Sequence, residues 1–170
     1  MESISPMIPT APAIPTPSPE RSDIEKATAK AFNVALILTG RTDLAEYAVA
    51  EAIRVWDGNE AIQEDLCLWA VAAAIGAQKL CSTTAPPELD EAAACLPLRL
   101  RNVIRLMPAL RSCFVLRMLL GLSEENCACL LGSSVEQVSL NTMLALRKLA
   151  DLDVANRKSK GPLYEGFLSN

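Results

Sequence analysis

Residues 98–150, LRLRNVIRLMPALRSCFVLRMLLGLSEENCACLLGSSVEQVSLNTMLALRKLA, constrain the fold more than any other stretch. Their helix stops and starts fall at short intervals and parse as helix, helix, short helix, tight turn, longer helix. Gly121-Leu122-Ser123 ends one helix and begins the next, glycine suiting the left-handed stop and Ser123 the N-cap. Leu131-Gly132-Ser133-Ser134 repeats that punctuation, and Ser134 with Gln137 has capping-box spacing before the last helix. Two helices joined by a tight glycine-containing turn make a helix-turn-helix, whose second helix is the one that enters a DNA major groove.

The segment from Leu106 to Gly132 resembles region 4 of the sigma-70 family, most closely the small extracytoplasmic-function type. The residues that carry the resemblance are Pro108, Arg111, Phe114, Leu116, Arg117, Gly121-Leu122-Ser123, Glu125, Ala128 and Leu131-Gly132. Upstream, AFNVALILTGRTDLAEYAVAEAIRVW is similar to the family's region 2 through Leu38-Thr39-Gly40, Ala45-Glu46, Val49, Glu51 and Arg54-Val55-Trp56. The match there is one residue short between Glu51 and Trp56. Tyr47, Ala48 and Ala50 replace the usual Asp, Leu and Gln.

The resemblance implies a factor that binds core RNA polymerase and directs it to promoter DNA, with an anti-sigma factor as a further possible partner. It places polymerase contacts at Glu46, Glu51 and Arg54. It places DNA contacts on the last helix, at Ser134, Gln137, Ser139, Asn141, Arg147 and Lys148. The bland alternative for Glu46, Glu51 and Arg54 is the solvated face of an amphipathic helix.

The chemistry of that last helix divides the functional reading. The family's helix is rich in Lys and Arg, which neutralise phosphates and read guanine. Here Ser139 and Asn141 stand at basic positions, Leu144 and Leu146 replace further basic residues, and Arg147 and Lys148 keep the charge. Gln137, Ser139 and Asn141 retain hydrogen-bonding capacity toward bases. Val138, Leu140, Met143, Leu144, Leu146 and Leu149 exceed what one buried stripe needs, and exposed apolar patches mark partner surfaces. The alternative function is therefore a sigma-like regulatory module that acts by protein–protein contact without specific DNA binding. Core packing is the competing expectation for Met143 and Leu146.

The expected fold class is all-α, with two small helical domains joined by a linker. Apolar residues are 51% and aromatics 4%, so the core must be built from Leu, Ala, Ile and Val. Residues 1–20 hold six prolines and read as a disordered tail, with a ligand for a proline-recognition partner as the less favoured alternative. Residues 21–80 form the region 2-like domain. Ser22 and Glu25 give it a capping-box start; Ile24, Ala27, Ala31, Val34, Ala35 and Leu38 line the first helix, and Gly40 ends it. Asp43 is the expected cap of a second helix that Asp57-Gly58 ends. A third helix over residues 60–80 is expected to be buried nearly all round in its second half, with Trp69 in the core. Residues 81–97 are a linker, with a short helix over 89–95. Residues 98–152 form the region 4-like domain, and 153–170 a flexible tail whose Arg157, Lys158 and Lys160 can anchor electrostatically.

Net charge is −4, but it is unevenly distributed. Residues 99–150 hold seven basic and three acidic side chains, so the positive charge sits on the helix-turn-helix. Histidine is absent, which removes the usual near-neutral base and the commonest metal ligand. Cys127 and Cys129, two apart on a helix, point to different faces, and Cys127 falls on a buried position of the family pattern. No enzyme activity, metal or cofactor is expected. The six cysteines with no signal peptide and no membrane-length apolar run lead to the expectation of a cytoplasmic protein with reduced thiols.

Overall fold

The computed structural model describes residues 21–56, 62–80 and 91–159, and every regular element among them is a helix. The expectations for residues 1–20, Asp57-Gly58, residues 81–90 of the linker, Lys160 and the rest of the C-terminal segment lie outside the described residues. None of the described helices is long and apolar enough to cross a membrane.

Three helices come first: α1 (Arg21–Thr39), α2 (Thr42–Val55) and α3 (Ile62–Leu80). Ser22, the expected cap, lies inside α1 rather than before it. Its expected apolar face is buried from Ala27 through Leu38, and Leu36 and Ile37 are buried as well. Gly40 ends it at φ 69°, donating its N–H to the Leu36 carbonyl at 2.7 Å. The cap of α2 differs from expectation: Arg41 precedes the helix and makes no side-chain cap. Asp43 sits inside the first turn, where the Arg41 guanidinium binds it at 2.5 and 3.0 Å. A carboxylate there complements the helix dipole, and the Arg41 guanidinium first, with the Leu44 and Asp43 backbone N–H groups, holds it below the usual range.

α3 also departs from expectation, and the 3.6-residue period explains how. Leu66, Cys67, Ala70, Val71, Ala74 and Ile75 form its buried stripe. Trp69 falls outside that stripe and is 49% exposed rather than in the core. Gly76 is exposed, and Ala72 and Ala73 are half-buried. Side chains this small leave a furrow along the helix instead of filling one.

A turn of helix, α4 (Glu91–Ala94), falls within the expected 89–95, of which residues 89 and 90 lie outside the described residues and Cys95 is a turn. It leads into α5 (Leu98–Ile104) and α6 (Pro108–Phe114), the latter with proline in its first turn. α6 continues into a π-helical turn over Val115–Leu119, closed by Leu120 N–H on the Val115 carbonyl at 3.0 Å. Then come α7 (Glu124–Leu131) and α8 (Val135–Ser159). α8 runs through 153–159, the start of the expected tail. Leu152 and Asp153 are half-buried there, and Asn102 Nδ2 donates to Asp153 Oδ1 at 3.4 Å.

The larger hydrophobic cluster runs from α1 to α8, through Leu36, Leu38, Val71, Ile104, Leu116, Cys127 and Val138. A smaller one joins Ala27 and Ala31 of α1 to Val49 and Ala52 of α2 and Leu66 and Ala70 of α3. Arg111, 1% exposed, lies where α1, α5 and α6 meet. Its Nη1 donates to the Ile104 carbonyl at 2.6 Å and its Nη2 to the Thr39 carbonyl at 3.3 Å.

Candidate nucleic-acid interface

The turn between α7 and α8 is built by local chemistry. Ser123 Oγ accepts the Asn126 N–H at 3.2 Å, which caps α7. Such a cap is worth about 1 kcal/mol. At the other end Gly132 takes φ 65°, a left-handed value that favours glycine. Ser133 N–H reaches the Ala128 carbonyl at 3.0 Å and Gly132 N–H the Cys129 carbonyl at 3.3 Å, the Schellman pattern. Ser134 Oγ then accepts the Gln137 N–H at 3.2 Å and caps α8. Arg117 holds the preceding corner, donating to the Leu122 carbonyl at 2.6 Å and to Glu124 Oε1 at 3.4 Å.

Two first-turn carboxylates respond to this geometry. The Glu125 and Glu136 carboxyls are both held below the usual glutamate range. In each case the residue's own backbone N–H contributes most, followed by Ser123 for Glu125 and Ser134 for Glu136.

α8 packs on α6 and α7 through Val138, Thr142 and Ala145. Thr142 Oγ1 donates back to the Val138 carbonyl at 2.8 Å. The DNA-contact residues expected from the sequence divide into two groups around this stripe. Gln137 and Asn141, joined by Nε2 to Oδ1 at 2.9 Å, border a cleft of about 500 Å³. Its opposite wall is Ile75, Gln78 and Lys79 of α3, and Cys113 of α6 lies at its side. Lys79 Nζ crosses it to the Leu131 carbonyl at 3.2 Å. Burial pushes the Cys113 thiol up, with the Asn141 amide pulling the other way. Arg147 and Lys148 are exposed further along α8, away from the cleft; Ser139 is half-buried and Ser134 exposed at the cap.

The apolar residues of α8 divide differently from the expected core packing. Val138 is buried and Leu149 half-buried, but Met143 is 64% exposed and Leu146 42%. Leu140 and Leu144 are exposed as well. The buried stripe passes through 138, 142, 145 and 149, and these four leucines and methionines lie off it.

On α2 the expected polymerase contacts share the exposed side. Arg54 bonds Glu51 Oε2 through Nη2 at 2.8 Å and Nε at 3.1 Å, which holds the Glu51 carboxyl below its usual range. Glu46 is exposed five residues before Glu51. Sequence reasoning missed two features, the α3–α8 cleft and the bonding of Arg111. A signal for the second was present: an arginine inside the apolar run ALRSCFVL. Comparison with protein-family models, with curated proteins and with solved structures gives no match for this chain.

Proposed function

We propose that this chain is a sigma-70-like transcription initiation factor with two helical domains joined by a linker. It binds core RNA polymerase through the exposed side of α2, with Glu46, Glu51 and Arg54, and meets promoter DNA through α8. The observation that carries the reading is the α7–Gly132–α8 unit, a capped helix-turn-helix whose second helix leaves Arg147 and Lys148 open to solvent. Those two cations serve the phosphate backbone, and Gln137, Ser139 and Asn141 supply amide and hydroxyl groups for base edges. Gln137 and Asn141 reach DNA when α3 moves off the cleft. α3 and α8 share few contacts and the Lys79–Leu131 bond is exposed, so the cost of the step lies in the core that α1–α3 share with the second half of the chain.

The test is co-purification with core RNA polymerase, followed by DNA binding titrated against salt. Binding of both is expected. Replacing Arg147 and Lys148 by Ala is expected to weaken binding about equally on all sequences and to lower the log–log salt slope by about 1 per residue. Polymerase binding with no DNA affinity at low salt defeats the promoter reading.

One observation favours a second function. Leu140, Met143, Leu144 and Leu146 are all exposed on α8, an apolar surface of the kind that binds protein. On that reading the module regulates transcription by protein contact alone. Leu144→Lys separates the two: it raises DNA affinity under the first and abolishes partner capture under the second.

A further inference from the structure

A furrow of about 640 Å³ runs between α2 and α3 on the side away from α1. Its floor is Ala72, Ala73 and Gly76, and its walls carry Tyr47, Val55 and Trp69. Tyr47 is 52% exposed and Trp69 49%. A small-residue floor between exposed aromatic rings is the surface on which polyproline II segments dock, prolines seating against the rings.

The chain carries such a segment. Pro6, Pro9, Pro12 and Pro15 recur every third residue, and Ile8, Ala11, Ile14 and Pro17 recur with the same period. At three residues per turn, the first set forms one ridge of a polyproline II helix and the second an adjacent apolar ridge. The segment therefore has a face to bury, which a merely solubilising tail does not need.

Its point of attachment is close to the furrow. Ala27 and Ala31 in the first half of α1 pack against Val49, Ala52, Leu66 and Ala70, and Trp56 packs there too. The start of α1 at Arg21 therefore lies at the end of the bundle where Val55 and Trp69 open the furrow. Residues 16–20 extended cover about 15 Å, enough to turn that corner. Along α3 the furrow from Trp69 to Leu80 is about 16 Å long, which five or six residues of polyproline II fill.

We propose that five or six residues of the proline-rich segment, within residues 6–15, dock in polyproline II form in the α2–α3 furrow of their own chain, across Trp69 and Tyr47. The furrow is then a built-in binding site for a proline-rich ligand, occupied in cis.

The test uses the full chain carrying Trp56→Phe, so that Trp69 alone reports. Its acrylamide quenching and emission maximum are compared with those of the same chain carrying Pro9→Ser, Pro12→Ser and Pro15→Ser. Shielding that is independent of protein concentration is expected with the prolines present. Their replacement is expected to raise quenching roughly twofold, since about half of the residue is uncovered in the open furrow, and to red-shift the emission. In the full chain with both tryptophans kept, the Ile14 methyl resonances are expected to be ring-shifted, and Trp69→Ser to return them to random-coil positions. Equal quenching of the two tails overturns the proposal. Shielding that grows with concentration and survives the proline replacements also overturns it, and assigns the furrow to a second copy of the chain.

Discussion

A guanidinium 1% exposed with no carboxylate beside it among the described residues ought to be costly, and Arg111 shows how two of its three nitrogens are satisfied while the buried Nε has no partner among them. Its two acceptors are not arbitrary carbonyls. Thr39 and Ile104 are the last residues of α1 and α5, where carbonyls lack intrahelical partners and the helix dipole is negative. One planar fork satisfies both helix ends and ties α1 to the second half of the chain. Burial pushes its pKa down to about 10, which still leaves it charged at neutral pH. Arg111→Ala loses both bonds and opens a cavity, so a loss of about 2–4 kcal/mol is expected by urea unfolding. Arg111→Lys is expected to restore part of that, because an ammonium keeps the charge but cannot span two divergent carbonyls. Equal stability of the Lys variant and the wild type would mean that the fork geometry is irrelevant.

The helical elements follow from punctuation that acts within a turn or two. Ser134 was legible as the α8 cap because serine, three residues before Gln137 and after glycine, meets the orphan N–H groups in any context. Glu136 beside it gives a pH test. Its folded pKa is depressed, so its contribution is present above the unfolded value of about 4.3 and is lost as pH falls through the folded value. Wild type and Glu136→Gln are therefore expected to differ in urea midpoint at pH 6 and to converge at about pH 3. A difference that persists at pH 3 would assign the effect to something other than charge. What stayed illegible depends on neighbours distant in sequence. Asp43 looked like a cap, but Arg41 claimed its carboxylate. Trp69 looked like core, but the α3 stripe that α1 and α2 cover passes to one side of it. Met143 and Leu146 looked like core for the same reason, since periodicity locates a stripe but not its width.

At the scale of the molecule, the sequence suggested two small domains, while the larger hydrophobic cluster holds residues of both expected halves. Leu36 and Leu38 belong to it with Ile104, Leu116 and Val138, and Arg111 bonds across the same boundary. Neither half is long enough to bury much surface alone, since a domain of about 60 residues covers only about 60% of what its unfolded chain exposes. Cooperative unfolding of both halves is the expected consequence, and the chain carries a reporter in each. Trp56 follows the end of α2 and Trp69 lies on α3, whereas Cys113 and Cys127 are buried on α6 and α7. In a denaturant series, tryptophan emission and the reactivity of those two thiols, followed by mass mapping of the modified residues, are expected to change with one midpoint and one slope. Arg111→Ala, which removes the bolt between the halves but leaves their shared apolar cluster, is expected to lower both midpoints together by the loss given above. Two midpoints in the wild type would instead mean that the shared apolar contacts are too weak to couple the halves. The α3–α8 cleft would then open with no cost to either one.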